Sequence, residues 1–186
     1  MPPVRPHRSP LAVATGERLR RLRDARGLTV SALALRSGLG KGTLSELETG
    51  RRNPTLETLY ALTTALEVPL SAALPPGEAT TGASVAPIRG DAIEAVLVDR
   101  FTDVTTISEL YRITLDADRV QDSEPHAHGV TEHWIVYAGA VELGPVDALT
   151  RLGPSESCTF AGDVPHRYRV LGGTDCAATL LVRYLH

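Results

Sequence analysis

Cysteine is almost missing from this 186-residue chain. Cys158 and Cys176 are too few for a disulfide framework, so stability has to come from packed cores, and the two thiols read as buried and inert. Long apolar runs are missing too. None approaches the ~20 residues that a membrane-crossing helix needs, although 42% of the residues are apolar, as in an ordinary soluble globular protein. The leading MPPVRPHRSP has basic residues but no apolar segment or small-residue cleavage site after them. It reads as a flexible basic arm, not a secretory signal. The expected compartment is the cytoplasm, with no membrane partner. Lysine is the last scarcity: Lys41 stands alone against 18 arginines.

Charge as a whole is plentiful but unevenly divided. Residues 1–75 carry 11 Arg or Lys against six Asp or Glu, net +5, whereas residues 76–186 carry eight against 16, net −8. One half suits a polyanion and the other does not. The apolar pattern changes at the same place. From 15 to 74 it has a helical period: Leu19 and Leu22 on an arginine-rich first helix ending at Arg26-Gly27, then Leu33 and Ala34 on a second helix that Thr29 can cap. A third helix spans about Lys41 to Thr49 with Leu44 and Leu47 inward, closed by Gly50. A fourth starts at Thr55 and carries Leu56, Leu59, Leu62, Thr63 and Leu66. PPGEATTGA, from 75 to 83, has linker composition. Beyond it the runs IEAVLV, ELYRITL, EHWIVYA, SCTF, HRYRVL and CAATLLVRYL, separated by Gly, Pro, Asp and Ser, predict short strands of a sandwich or barrel. The chain is therefore expected to be a two-domain α + β protein: an arm over 1–14, an all-α domain over 15–74, a linker over 75–83 and an all-β domain over 84–186.

LRRLRDARGLT, ALALRSGLGKGTLSELETGRRNP and TLETLYALTTALEV together resemble the lambda-repressor-like (xenobiotic-response-element) helix-turn-helix family over about sixty residues. That resemblance implies a third helix lying in the major groove of double-stranded DNA. Carried over position by position, it puts Lys41, Gly42 and Glu46 at base edges with Thr43 and Ser45 beside them. Lysine can donate to guanine, and a carboxylate can accept from cytosine. Arg51, Arg52 and Asn53 fall where phosphate contacts set the register. Arg23 and Glu48 match a buried ion pair between the first and third helices. Gly40 stands where the family usually has a serine cap.

EPHAHGVTEHW, residues 124–134, is dense in potential metal donors. His126, His128, Glu132 and Gly139 give H-x-H-x3-E-x6-G, and FAGDVPHRY adds His166. The two motifs resemble those of the cupin superfamily, small β-barrels that hold a metal at these four places. Strand parity agrees. Residues two apart on a strand face the same side, which would direct His126 and His128 inward together, and likewise Glu132, Trp134 and Val136. Trp134, Val136 and Tyr168 are the expected lining of an effector pocket, and His133, of opposite parity, is expected outside. Nitrogen and oxygen donors suit a divalent transition metal (Zn, Fe, Mn, Ni or Cu) and do not choose among them. The chain as a whole resembles a bacterial regulator with a cupin sensor. Such a protein would be a homodimer that binds an operator and answers to a metal, a small-molecule effector or both. The alternative is a cupin-type non-haem iron oxygenase or epoxidase, similar to the hydroxypropylphosphonate epoxidases, with His128, Glu132 and His166 on the iron and the helical domain vestigial.

Overall fold

The computed structural model describes residues 9–75, 86–117 and 119–185. Most of the expected arm and linker thus lies outside the described residues. The chain forms two compact units: Met1–Pro54 with Ala61–Pro76, and Thr55–Tyr60 with Gly77–His186.

The first unit is helical: α1 (Pro10–Ala25), α2 (Val30–Arg36), α3 (Lys41–Glu48), the second half of α4 (Leu56–Ala65) and a 3-10 turn at Leu70–Ala72. Helix α1 begins at Pro10, inside the stretch read as an arm, because proline at a first helical position has no amide to leave unbonded. Thr29 caps α2, its Oγ1 accepting from the Ala32 amide at 3.1 Å. Helix α3 has Gly40 at its cap and no side-chain cap bond. Ala12, Leu19, Leu33, Ala34, Leu44, Leu47, Leu62, Leu66, Leu70 and Leu74 are buried, each leucine contributing about 1.5–3 kcal/mol by leaving water. The expected ion pair is present. Arg23 donates through Nε to Oε1 of Glu48 at 2.6 Å and through a terminal nitrogen to Oε2 at 2.8 Å. Both side chains are buried, which ties the end of α1 to the end of α3. Gly16 lets the two helices approach so closely that an added Cβ would collide with the Leu47 carbonyl oxygen.

The second unit consists of two antiparallel sheets. One has the order β1-β2-β3-β10-β5-β8, and the other β4-β9-β6-β7. The first sheet contains β1 (Ile88–Arg89), β2 (Ile93–Thr102), β3 (Thr106–Leu115), β5 (Thr131–Ala138), β8 (Ser157–Ala161) and β10 (Cys176–Leu185). The second contains β4 (Val120–Ser123), β6 (Ala140–Pro145), β7 (Thr150–Leu152) and β9 (His166–Leu171). This is the cupin architecture. Alternation is strict on the central strands: on β3 every second residue from Ile107 to Leu115 is buried, on β10 every second one from Cys176 to Tyr184. Register places Glu109 opposite Val182, and Val182 opposite Glu132, so one row across three strands carries two inward carboxylates. On α4, Glu57 accepts from the Asp91 amide (3.1 Å) and from Nε2 of Gln121 on β4 (2.8 Å), which fixes the first turn of that helix within this unit.

Gly16→Ala should lower the stability of the helical unit by about 1–3 kcal/mol, because overpacking at a backbone contact has no flexible side chain to absorb it. Denaturant melts followed by far-ultraviolet circular dichroism measure this, and an unchanged midpoint would show that α1 and α3 can separate freely.

Candidate functional site

Two surfaces carry the polar residues singled out by sequence. On α3 the core side is Leu44, Leu47 and Glu48, which leaves Lys41, Gly42 and Glu46 exposed, with Thr43 and Ser45 partly so. Arg51, Arg52 and Asn53 are exposed in the turn that follows, where the Arg51 amide bonds back to the Glu46 carbonyl. All eight residues lie outside the buried core of their unit.

The second site is buried in the β-unit and is built around Glu132. Strand β5 turns Glu132, Trp134 and Val136 inward, all with essentially no exposure, while His133 faces out and meets Thr159 on β8. Strand β9, in the other sheet, contributes His166 and Tyr168. His126 comes from the loop between β4 and β5, held by a backbone bond from its amide to the Gly162 carbonyl (2.9 Å). The ligating atoms of His126, Glu132 and His166 all lie within 4.8 Å of one another.

Hydrogen bonding divides the labour of the carboxylate. Oε2 of Glu132 accepts from Nε1 of Trp134 and from the Tyr168 hydroxyl, both at 2.8 Å. Oε1 faces the histidines: His126 Nε2 at 2.9 Å and His166 Nε2 at 3.5 Å. Burial by itself would raise the Glu132 carboxyl. The hydrogen bond from His126, the charges of His166 and His126 and the bond from Trp134 outweigh it and hold the group at about 2. His166 is pushed the other way, below the usual imidazole value, chiefly by burial and against the pull of Glu132. Its Nδ1 donates to the Val164 carbonyl at 2.7 Å, so a neutral ring presents a bare lone pair at Nε2. That nitrogen has no hydrogen-bond partner among the described residues, and neither has Nδ1 of His126. A lone pair on His166 thus faces a lone pair on Glu132 across 3.5 Å in a water-poor interior. A cation between them would turn that repulsion into coordination, and the donor set fits a divalent transition ion. The Val164 carbonyl would act as the outer partner that orients His166, and Trp134 and Tyr168 as those that orient Glu132.

His128 does not join the cluster. Its side chain is fully exposed, with Nδ1 at 3.2 Å from Oδ2 of Asp163. Strand β4 ends at Ser123 and β5 begins at Thr131, so residues 124–130 form a turn, and Gly129 has φ +78°. Strand parity does not apply there, and of the four expected ligands the structure brings together His126, Glu132 and His166. Of the trio expected for an iron enzyme, Glu132 and His166 lie in this cluster and His128 lies outside it. Sequence reading also missed Tyr60 of α4, whose ring stacks on His126 with centroids 4.1 Å apart and planes 24° from parallel. It missed Glu109, which accepts from the hydroxyls of Tyr111 (2.6 Å) and Tyr184 (3.2 Å). Parity within ELYRITL already aligns Glu109 with Tyr111, but no local pattern points to Tyr60. The two thiols are free, and burial pushes both above their ordinary value.

A helix-turn-helix family profile matches residues 19–72. The HTH-type transcriptional regulator SutR of Escherichia coli (strain K12) is 31% identical over 151 residues, covering 81% of this chain and 84% of that protein. This chain belongs to the HTH-type transcriptional regulators. The crystal structure of an HTH_3 family transcriptional regulator from Vibrio cholerae superimposes with a TM-score of 0.77 at 26% identity, over 94% of this chain and 97% of that one. The likeness therefore takes in the cupin half of the regulator as well as its helices. Hydroxypropylphosphonic acid epoxidase from S. wedmorenis aligns over 94% of this chain and 98% of its own, with 17% identity and a TM-score of 0.40, which brings no chemistry to this regulator. No described helix of the regulator is long and apolar enough to cross a membrane.

Acid should loosen the cupin unit in two windows. The neutral, buried His166 stabilises the fold above its ordinary value of 6.5, and this is lost as pH falls below that value. Glu132 stabilises it above 4.5, and its share is lost as pH falls toward about 2. Trp134, the single tryptophan and fully buried, reports both by its emission. Glu132→Gln should flatten the lower window and deepen the upper one, because His166 loses the carboxylate that pulls its value up, and an unaltered acid profile in that variant would refute the assignment.

Proposed function

We propose that this DNA-binding regulator reads its operator through α3 and the turn after it. His126, Glu132 and His166 hold one divalent transition metal, and occupancy of that site sets the affinity for DNA. A small-molecule effector on the same site would rest on Trp134, Val136 and Tyr168. The observation that carries the sensor is the pair of opposed lone pairs at Glu132 Oε1 and His166 Nε2, with the other carboxylate oxygen already satisfied. The +5 charge of the helical half and the exposed strip from Lys41 to Asn53 support DNA as its partner. In this reading Lys41, Gly42 and Glu46 face base edges with Thr43 and Ser45 beside them, and Arg51, Arg52 and Asn53 meet phosphate. One reading helix covers a half-site, so the regulator acts as a homodimer on two half-sites about one helical turn apart.

A second reading keeps a foothold in the ligand set. Two histidines and one carboxylate leave positions open on an iron ion, the arrangement that non-haem oxygenases use. With His128 outside the cluster, no fourth ligand joins them among the described residues. The lining residues Trp134, Val136 and Tyr168 include no lysine or arginine to hold a phosphonate, and the exposed strip on α3 has no place in catalysis.

Arg51→Ala should weaken binding to all DNA sequences alike and reduce the slope of log affinity against log salt by about one. Lys41→Ala should relax the preference at one base pair by about 1–3 kcal/mol. Binding to a duplex selected from random-sequence DNA measures both, and an unchanged preference in Lys41→Ala would show that α3 is set in another register.

Purified regulator should take up one equivalent of Co(II) or Zn(II) per chain, and His166→Ala should abolish uptake while the helical unit stays folded. Metal should change affinity for the selected duplex roughly 5- to 150-fold, the usual size of allosteric coupling. Uptake should decline as pH falls, because the imidazoles must be unprotonated to ligate. Oxygen consumption with a bound small substrate, together with DNA affinity indifferent to metal, would establish the enzymatic reading instead.

A further inference from the structure

Metal-ligating imidazoles are usually oriented by a hydrogen bond from the ring nitrogen that does not face the metal. His166 has this arrangement through the Val164 carbonyl. His126 does not. Its Nε2 faces Glu132, and its Nδ1 is buried without a partner among the described residues. What restrains the ring is the stack with Tyr60, reinforced by the edge of His166 at 4.9 Å. Tyr60 lies on α4 one turn after Glu57, and i, i+3 spacing places both on one flank of the helix. Glu57 is bonded to Gln121 and to the Asp91 amide. The first half of α4 is therefore held in the β-unit at two points, one of them a metal ligand. Residues 61–65 continue the same helix and belong to the helical unit.

We propose that Tyr60 is a positioning residue for the metal ligand His126 and the residue through which α4 registers whether the metal site is filled. This rests on the metal reading above. When His126 Nε2 exchanges the Glu132 oxygen for a shared cation, the imidazole has to shift. With no hydrogen bond at Nδ1 to pivot on, the shift is passed to the ring stacked against it.

The test compares wild type with Tyr60→Phe and Tyr60→Leu. Co(II) affinity and ligand-field spectrum are followed with the emission of Trp134, and affinity for the selected duplex is measured with and without Co(II). Tyr60→Phe keeps a stacking ring and should retain the wild-type response in every readout. Tyr60→Leu should bind Co(II) about 10- to 100-fold more weakly, with an altered spectrum. At saturating Co(II) it should show the same DNA affinity as without metal, where wild type shows its full change. If Tyr60→Leu does not fold, Tyr60→Met, closer in length and without a ring, carries the same expectation. A Leu or Met variant that keeps the full metal-dependent change in DNA affinity would overturn the proposal and leave the metal sensor standing. Wild type that takes up no Co(II), or whose DNA affinity ignores it, would bring down both.

Discussion

The β-unit is organised around a carboxylate that has been taken out of water. An ionised Glu132 in a barrel interior is costly unless every lone pair is answered, and the surrounding residues answer all but one direction. Trp134 and Tyr168 occupy one oxygen, His126 meets the other, and His166 stands opposite with a lone pair of its own. These residues come from both sheets and from one loop, so the arrangement exists only when the two sheets close on each other. Much of what surrounds the site serves this constraint. Gly162 has no side chain because one would press on His126, Glu132 and Val130. The Val164 carbonyl selects the His166 tautomer.

The helical unit handles its buried charges differently. Arg23 and Glu48 neutralise each other through two parallel hydrogen bonds, and the remaining Arg23 donors reach Asp24 and the Leu28 carbonyl. Such a pair contributes more to alignment than to net stability, since desolvation consumes much of its attraction. What it aligns is the C-terminal end of α3, directly before the exposed Arg51 and Arg52. An ion pair bonded through both oxygens in one unit and an open cluster in the other fit the division of roles proposed above.

Much of this was legible in the primary structure, and the reason is local. Helix boundaries followed from Arg26-Gly27, Thr29 and Gly50, because caps and breakers act within a turn of the chain. Long strands such as β3, β5 and β10 followed from alternation. The second sheet was largely invisible: β4, β6 and β7 are short, and AVELGP carries a glycine and a proline that argue against a strand in isolation. β4 and β6 are strands because β9 lies between them and bonds to both, and β7 because it pairs with β6 in turn, a condition no window of sequence contains.

By itself the sequence determined two kinds of fold, the boundary region between them, the surface of α3, and a donor-rich motif with Glu132 and His166 at its heart. These are properties of period, composition and spacing, which the chain carries before it folds. Tertiary structure alone decided which histidine turns inward. His126 and His128 are indistinguishable by type and nearly so by position, and only the turn at Gly129 and the bond to Gly162 separate a buried side chain from a solvated one. It also decided that Tyr60, an ordinary member of a leucine-rich helix, lies against His126. Contacts between residues 66 positions apart leave no local trace, because they depend on where two elements are placed and not on what either prefers alone.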